Sequence, residues 1–515
     1  MASVGVSAES IRPEHPRPRQ LSALAELVGQ SGFVGPDSEV SGVAAGSSEV
    51  RPGDVFFALP GAKAHGATFA EKAISAGAVA VVTDVRGLAL LSGCAVPVVV
   101  CNDPRSLLGP VSAWVYHTDH STPELFGVTG TNGKTTVVYL VAALLEQMGL
   151  STGLSSTSER RIGDEIFESG LTTPEANHIH SLLARMNEAD IRAAALEVSA
   201  HALSRRRVDG VHFDVVGFTN FSHDHLDDYG SLDEYFAAKA MLFEPDRAAR
   251  GVVVLDSDWG RKLSDEARIP VVTIAHADGG PATWVVEVLD RTAVSTTFAL
   301  RGPQGHSIQT SVPMVGDYSA LNAALAIVMV VEAGHAFDLV AHTLERDGGF
   351  NVFVPGRTEL VSGDRGPMFF VDYGHTPEAF AHTLQALRAV TAGRLIMVFG
   401  ADGDRDTAKR PDMGAIAARG ADTVIVTDFH PRTEDPHAIR AALLAGARGA
   451  NSAAEIREVA DPRLAVREAI AKAEPGDVIL YAGPGHEDYR DVGTERISYS
   501  ARDDVRLALA EAGWM

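Results

Sequence analysis

Gly127-Val-Thr-Gly-Thr-Asn-Gly-Lys-Thr-Thr136 is the stretch from which the rest of the chain is read. A short apolar run, Leu125-Phe126, precedes it, and an apolar helix pattern from Val137 to Leu150 follows. A glycine-rich turn between strand and helix aims backbone N–H groups and the positive helix end at a phosphate. In such a turn Gly130, Thr131, Asn132, Gly133 and Thr136 surround the phosphates, Lys134 reaches the terminal ones, and Thr135 is placed for Mg²⁺. The first glycine lies one residue early for the strict G-x-x-x-x-G-K-T pattern, so this is a variant loop. A flexible Gly/Thr loop with a surface lysine is the bland alternative. The strand before it and the helix after it argue for a nucleoside triphosphate.

Size and composition narrow the setting. At 515 residues the chain has room for about three domains. Hydrophobic content of 45% with 22% charged residues is ordinary for a globular protein. A net charge of −23 repels phosphate backbones, which argues against nucleic-acid binding. Cys94 and Cys101 are the only cysteines, too few for a disulfide framework or a four-cysteine zinc site. No apolar run reaches the roughly 18 residues of a membrane span, so a cytoplasmic protein without membrane insertion is expected. Residues 1–20 carry three prolines and scattered charge, and are expected to form a disordered tail.

Beyond the tail three blocks separate. Residues 21–118 hold short apolar runs such as Val55-Phe-Phe-Ala-Leu59 and Val79-Ala-Val-Val82, the pattern of a small N-terminal α/β domain. Residues 119–354 alternate the phosphate loop, further apolar strands and helices, implying a central parallel sheet covered on both faces, as in P-loop ATPases. In residues 355–515 the runs at 368–371, 395–399, 423–426 and 478–481 each end in a motif rich in Asp, His, Gly or Arg. Open α/β sheets bind ligands beyond the carboxyl ends of their strands, which suggests a C-terminal Rossmann-like domain completing the site.

Three polar groups in the central block carry the chemistry. Glu197 ends an apolar strand, His225 follows another, and Lys239 lies in the helix pattern Asp233-Glu-Tyr-Phe-Ala-Ala-Lys-Ala-Met-Leu-Phe243. Tyr235, Lys239, Leu242 and Phe243 share one face of that helix, which makes Lys239 a candidate for burial. Taken singly, Lys239 reads as a snorkelling stem, Glu197 as a cap and His225 as a loop histidine. Together they read better as a second metal site beside the triphosphate. An imidazole and a lysine are odd ligands for Mg²⁺, which prefers oxygen.

The ordered motifs resemble those of the Mur ligase superfamily, most closely the UDP-N-acetylmuramoyl-tripeptide synthetase family. They run from about residue 40 to 490 and include the phosphate loop, Leu171-Thr-Thr-Pro-Glu175, Glu197 to His201, Asp224-His-Leu-Asp227 and Tyr235-Phe-Ala-Ala-Lys239. Pro355-Gly-Arg357, Asp372-Tyr-Gly-His-Thr-Pro377, Gly403-Asp-Arg-Asp406, Lys409-Arg-Pro411 and Gly485-His-Glu487 continue the series. The resemblance implies ATP-driven amide formation in peptidoglycan precursor synthesis, through an acyl phosphate. It implies two Mg²⁺ sites, with Thr135 at one and Glu197, His225 and Lys239 at the other. CO₂ carried as a carbamate on Lys239 would turn that lysine into an anionic ligand. By residue match it places Asn322, Arg357 and His375 at the nucleotide. Ser47, Thr172, Thr173, Ser199 and Arg207 match the site of a UDP-N-acetylmuramoyl-L-alanyl-D-glutamate substrate. Arg405, His430, Arg432, Gly483 and Glu487 match the pocket of a diaminopimelate-like diamino acid.

The chain departs from the family pattern in two places. Asp428-Phe-His-Pro-Arg432 stands where diaminopimelate-adding members carry Asp-Asn-Pro-Arg, and Pro484 replaces a usual lysine. Gly46-Ser47-Ser48 stands where the family has Asp-Ser-Arg, and His65-Gly66-Ala67 replaces Asp-Gly-His. These losses remove charge-assisted contacts from the expected uridine-nucleotide site. Two other readings therefore stay open: a paralogous ligase joining a different carboxylate and amino acid in specialised metabolism, and a nucleotide-binding protein without catalysis.

Overall fold

A computed structural model describes residues 11–29, 37–119, 123–224 and 228–515. The phosphate loop sits at the middle of an eleven-stranded sheet, at the end of strand Glu124–Thr129. On one side lie Ala193–Glu197 and then Thr152–Ser155; on the other follow Phe213–Phe218, Ala248–Val254, Val271–His276 and Trp284–Arg291, all parallel. After the loop the chain runs first to Thr152–Ser155 and later returns across to Phe213–Phe218. The loop therefore marks the point where strand order reverses, the usual ligand crevice of an open α/β sheet.

The expectation of a parallel sheet holds for this centre and not for its edges. Glu159–Ile162 and Glu165–Glu168 form an antiparallel hairpin at one edge, and Thr296–Arg301 and Ser307–Val312 add two antiparallel strands at the other. Ser307–Val312 alternates exposed and buried residues, so it presents only one face to the core.

Two helical layers cover the sheet. The phosphate-loop helix, Lys134–Gln147, packs with Asp317–Glu332, whose residues from Ser319 to Val330 are all buried. An apolar surface all round is what a helix needs between a sheet and further helices. The opposite face is closed by Ala176–Glu188, Leu232–Ala240 and Asp258–Glu266. Even Asp317–Glu332 is too short to cross a membrane, and no described helix is long and apolar enough to do so.

Smaller sheets flank this body. Gly42–Ala44, Asp54–Phe57, Ala80–Thr83 and Val98–Val100 form a four-stranded parallel sheet. Toward the C-terminus six strands order as Glu359–Leu360, Met368–Asp372, Val478–Ala482, Leu395–Phe399, Thr423–Val426 and Glu455–Glu458. All are parallel except the short first one.

The disordered tail expected over residues 1–20 is corrected for residues 11–20. Arg12 makes a two-pronged ion pair with buried Asp54, at 2.6 and 2.9 Å. Ile11 is buried and its carbonyl accepts from Ser181 Oγ. The N–H groups of Glu14 and His15 both donate to the Glu188 carboxylate at 2.8 Å. The segment thus ties the N-terminal sheet to helix Ala176–Glu188. Isolated anchors between prolines carry no periodic signal, which is why the sequence reads as a tail.

His180, on that helix, is fully buried between Thr118 Oγ1 (2.7 Å from Nδ1) and the Asp209 carbonyl (3.0 Å from Nε2). Burial pushes its pKa down to about 4. Between the unfolded value near 6.5 and about 4, only the unfolded chain takes up this proton, so stability falls as pH falls. The expected slope from this group is about 1.4 kcal/mol per pH unit. Denaturant unfolding between pH 7 and 5 should show a shallower acid loss in His180→Gln than in the parent; equal slopes would refute this.

Candidate active site

The loop glycines are demanded by geometry. Gly130 has φ 142° and an added Cβ would collide with Thr219 Oγ1. Gly133 has φ 85°, and its Cβ would stand 2.9 Å from Asn322 Oδ1. The N–H groups of Thr131 and Asn132 are held by Asn220, through its carbonyl at 3.0 Å and its side-chain oxygen at 2.9 Å. Helix Lys134–Gln147 then begins with no side chain capping it. Its first-turn N–H groups point outward as a ready anion site.

Lys134 Nζ folds back onto the carbonyls of Gly130 (3.0 Å) and Thr131 (2.8 Å). Its pKa is lowered, chiefly by burial and further by Arg357, while Glu197 and Asp224 oppose the shift. Lys239 lies behind the loop, 1% exposed, and donates to the same Gly130 carbonyl at 2.7 Å. Its Nζ stands 4.3 Å from the centre of the Tyr235 ring. Burial first, and the neighbouring Lys134 second, push the Lys239 pKa well below the usual lysine range. The burial inferred from helical spacing is thus complete: Tyr235, Lys239, Leu242 and Phe243 are all inside.

Glu197 is buried at its strand end, where Oε1 accepts from the Thr157 N–H at 2.9 Å and Oε2 lies 3.2 Å from the Thr157 hydroxyl. The pairing of Leu196 with Ser155 brings Thr157 alongside. Thr173 Oγ1 bridges the Glu197 carbonyl (2.9 Å) and the Ser199 N–H (3.1 Å), and Ser199 Oγ caps the next short helix. Arg207 Nε reaches Glu175 at 2.9 Å, and Nη1 donates to the Thr173 carbonyl. Arg105, from the N-terminal domain, pairs with the other oxygen of Glu175.

The C-terminal domain closes over these groups. Arg357 Nη2 donates to Thr135 Oγ1 at 2.9 Å, with its guanidinium 4.3 Å from the centre of the Tyr373 ring. Lys409 Nζ lies 3.4 Å from Asp224 Oδ1. His375 is fixed by the Tyr373 carbonyl, 2.9 Å from Nδ1.

One cleft of about 570 Å³ collects most of the expected residues. Thr131 to Thr136, Thr172, Thr173, Glu197, Ser199, Arg207, Asn322, Arg357, His375, Arg405 and Arg432 all line it. Several expected residues do not. Lys239 lies behind the loop on the carbonyl of Gly130, and neither residue lines the cleft. Ser47 sits on a turn anchored elsewhere: the Glu49 carboxylate meets His178 at 3.1 Å, and the Glu49 carbonyl meets Arg12. His430, Gly483 and Glu487 do not line the cleft, and His430 and Glu487 pair with each other at 2.7 Å. His225 falls outside the described residues. Among the described residues no three His, Cys, Asp or Glu side chains converge as a metal site. Thr157, Asp224, Tyr373 and Lys409 were not assigned roles from sequence. Asp224, Tyr373 and Lys409 lay within quoted motifs, whereas Thr157 gave no signal outside the strand register.

Comparison with known proteins gives this geometry its context. The Mur ligase middle domain matches residues 128–330, the Mur ligase glutamate ligase domain residues 356–485, and the Mur ligase family catalytic domain residues 39–113. The chain belongs to the Mur ligase family. Like other Mur ligases it is an ATP-dependent amide ligase. A UDP-N-acetylmuramyl-tripeptide synthetase of Leifsonia xyli subsp. xyli is 58% identical over 512 residues, spanning 99% of this chain and 100% of that one. A UDP-N-acetylmuramoyl-L-alanyl-D-glutamate–2,6-diaminopimelate ligase of Streptomyces coelicolor is 42% identical, spanning 96% and 98%. A solved structure of a ligase with that same name superposes with a TM-score of 0.66 at 28% identity, covering 95% of this chain and 99% of that one. The three-part α/β architecture of this Mur ligase is therefore shared along its whole length.

Proposed function

We propose that this Mur ligase joins a diamino acid to UDP-N-acetylmuramoyl-L-alanyl-D-glutamate, consuming ATP, in the building of a peptidoglycan precursor. The observation that carries this reading is the single cleft, in which the phosphate loop, Glu197, Arg207, Arg357, Arg405 and Arg432 meet. The names of the relatives above support the substrate pair.

The uncapped helix N-terminus and Lys134 hold the triphosphate, with Asn322 and His375 beside the nucleoside. Thr172, Thr173, Ser199 and Arg207 orient the acyl substrate so that its carboxylate oxygen faces the γ-phosphorus. That oxygen attacks, ADP leaves, and a mixed acyl–phosphoric anhydride remains. The amine of the incoming amino acid adds to the acyl carbon, and phosphate departs with the former carboxylate oxygen. Lys134 and Arg357 stabilise negative charge on the moving phosphoryl group.

The donors present suit magnesium. Thr135 Oγ1 and the Glu197 carboxylate offer the hard oxygens that Mg²⁺ takes, and bound magnesium would neutralise charge on the phosphates. Lys239 suits carbamylation, because burial favours the unprotonated amine that adds to CO₂. The carbamate would supply the oxygen ligand that an ammonium cannot.

Coupled ADP release tests the assignment. Turnover that needs both the UDP-muramoyl dipeptide and a diamino acid is expected. Release with other carboxylates alone would replace the substrate assignment, and no release with any acceptor would end the catalytic one.

A further inference from the structure

The N-terminal domain reaches the charges of the cleft wall through Glu175. This residue holds the N-cap position of helix Ala176–Glu188, yet its carboxylate makes no capping bond there. Each oxygen meets a guanidinium instead: Oε1 lies 2.9 Å from Arg207 Nε, and Oε2 accepts from Arg105 Nη1. Arg105 stands on the first turn of helix Pro104–Val115. Leu108, Val111 and Val115 of that helix pack with Ala176 and Ala184, and a Cβ on Gly109 would collide with the Asp209 carbonyl. The helix therefore abuts the chain on both sides of Arg207, at Glu175 and at Asp209. Of Arg105, Glu175 and Arg207, Arg207 alone lines the cleft.

A guanidinium paired one to one with a carboxylate offers an anion little net charge. With Arg105 on its second oxygen, Glu175 is compensated, and the set of three keeps one positive charge beside the cleft. We propose that Arg105 is a positioning residue for the carboxylate substrate: it holds and neutralises Glu175 from the N-terminal domain, leaving Arg207 to bind an anionic group of that substrate. The inference rests on the substrate reading above and adds the residue that makes Arg207 available. Arg207 Nε and Nη1 are occupied by Glu175 and the Thr173 carbonyl, at 2.9 and 3.2 Å, which fixes the plane of the guanidinium. Nη2 has no partner among the described residues and is the donor left for the substrate.

Initial rates, and calorimetric binding of UDP-N-acetylmuramoyl-L-alanyl-D-glutamate, test this in the full chain. Arg105→Ala should raise KM and Kd for that substrate about fivefold, the scale of a part-exposed ion pair, with kcat and the KM for ATP little changed. Arg105→Lys should restore most of the loss, because it keeps a cation on Glu175. The sign of a second substitution separates charge from mere support. Glu175→Gln still offers Arg207 Nε an acceptor oxygen but carries no charge. The pair Arg105→Ala/Glu175→Gln should therefore bind the substrate more tightly than Arg105→Ala, and Glu175→Gln alone at least as tightly as the parent. If KM is unchanged in Arg105→Ala, if the double variant recovers nothing, or if Glu175→Gln alone binds more weakly, Arg105 merely ties the domains together and the proposal is overturned. Parent enzyme that neither binds nor uses this substrate removes the substrate reading and the proposal with it. Binding by the parent with all variants alike removes the role of Arg105 alone.

Discussion

Lys239→Ala is expected to lower kcat by about 10³-fold, the scale of losing a preorganised electrostatic partner. The side chain is sealed from solvent, 2.7 Å from the Gly130 carbonyl and against the Tyr235 ring. A lysine placed there only to fill space would be poorly chosen, since burying an unpaired ammonium costs several kcal/mol or forces neutralisation. The environment favours the neutral amine, and the neutral amine is the form that captures CO₂. Because the missing element is then an anionic oxygen ligand, formate or acetate should restore part of the activity, and methylamine should not. Thermal unfolding of the variant distinguishes lost chemistry from lost fold. A folded variant that keeps its activity, or one rescued only by the amine, contradicts the carbamate.

Lys134→Ala should cost about 10²- to 10³-fold, and the loss should appear in kcat more than in KM for ATP. The parked position of Nζ, on the Gly130 and Thr131 carbonyls, holds the ammonium over the loop opening, from which it can turn to the phosphates. Removing it leaves the helix N-terminus intact, so triphosphate binding persists in weaker form. A variant with normal kcat and only a raised KM would move Lys134 from the transition state to ground-state binding.

Much of this site was legible in the sequence because its parts are local. The phosphate loop needs consecutive residues, and its glycines are dictated by close approaches to Thr219 and Asn322. The depth of Lys239 followed from the spacing of Tyr235, Leu242 and Phe243 along one face. Three of the central parallel strands, Ala193–Glu197, Phe213–Phe218 and Ala248–Val254, were readable as continuous apolar runs. What could not be read depends on residues distant in sequence. Thr157 meets Glu197 only because two strands align in register. The segment after residue 10 is held by single anchors, Arg12 on Asp54 and two N–H groups on Glu188, each invisible to any periodic pattern. Of the antiparallel edge strands, Glu159–Ile162 and Ser307–Val312 bury every second residue, which replaces an apolar run with alternation, and Glu165–Glu168 buries none. By resemblance, Arg405, His430, Arg432, Gly483 and Glu487 were expected to share one amino-acid pocket. The structure divides them, with Arg405 and Arg432 on the cleft and His430 paired to Glu487 behind it.

The central claim is that this cleft converts a carboxylate to an acyl phosphate before the amine arrives. Transfer of ¹⁸O from the γ-carboxylate of labelled UDP-N-acetylmuramoyl-L-alanyl-D-glutamate into released phosphate, followed by ³¹P NMR, measures it directly. The account predicts one carboxylate-derived oxygen in each phosphate formed; phosphate free of label, at the same yield of amide, would contradict it.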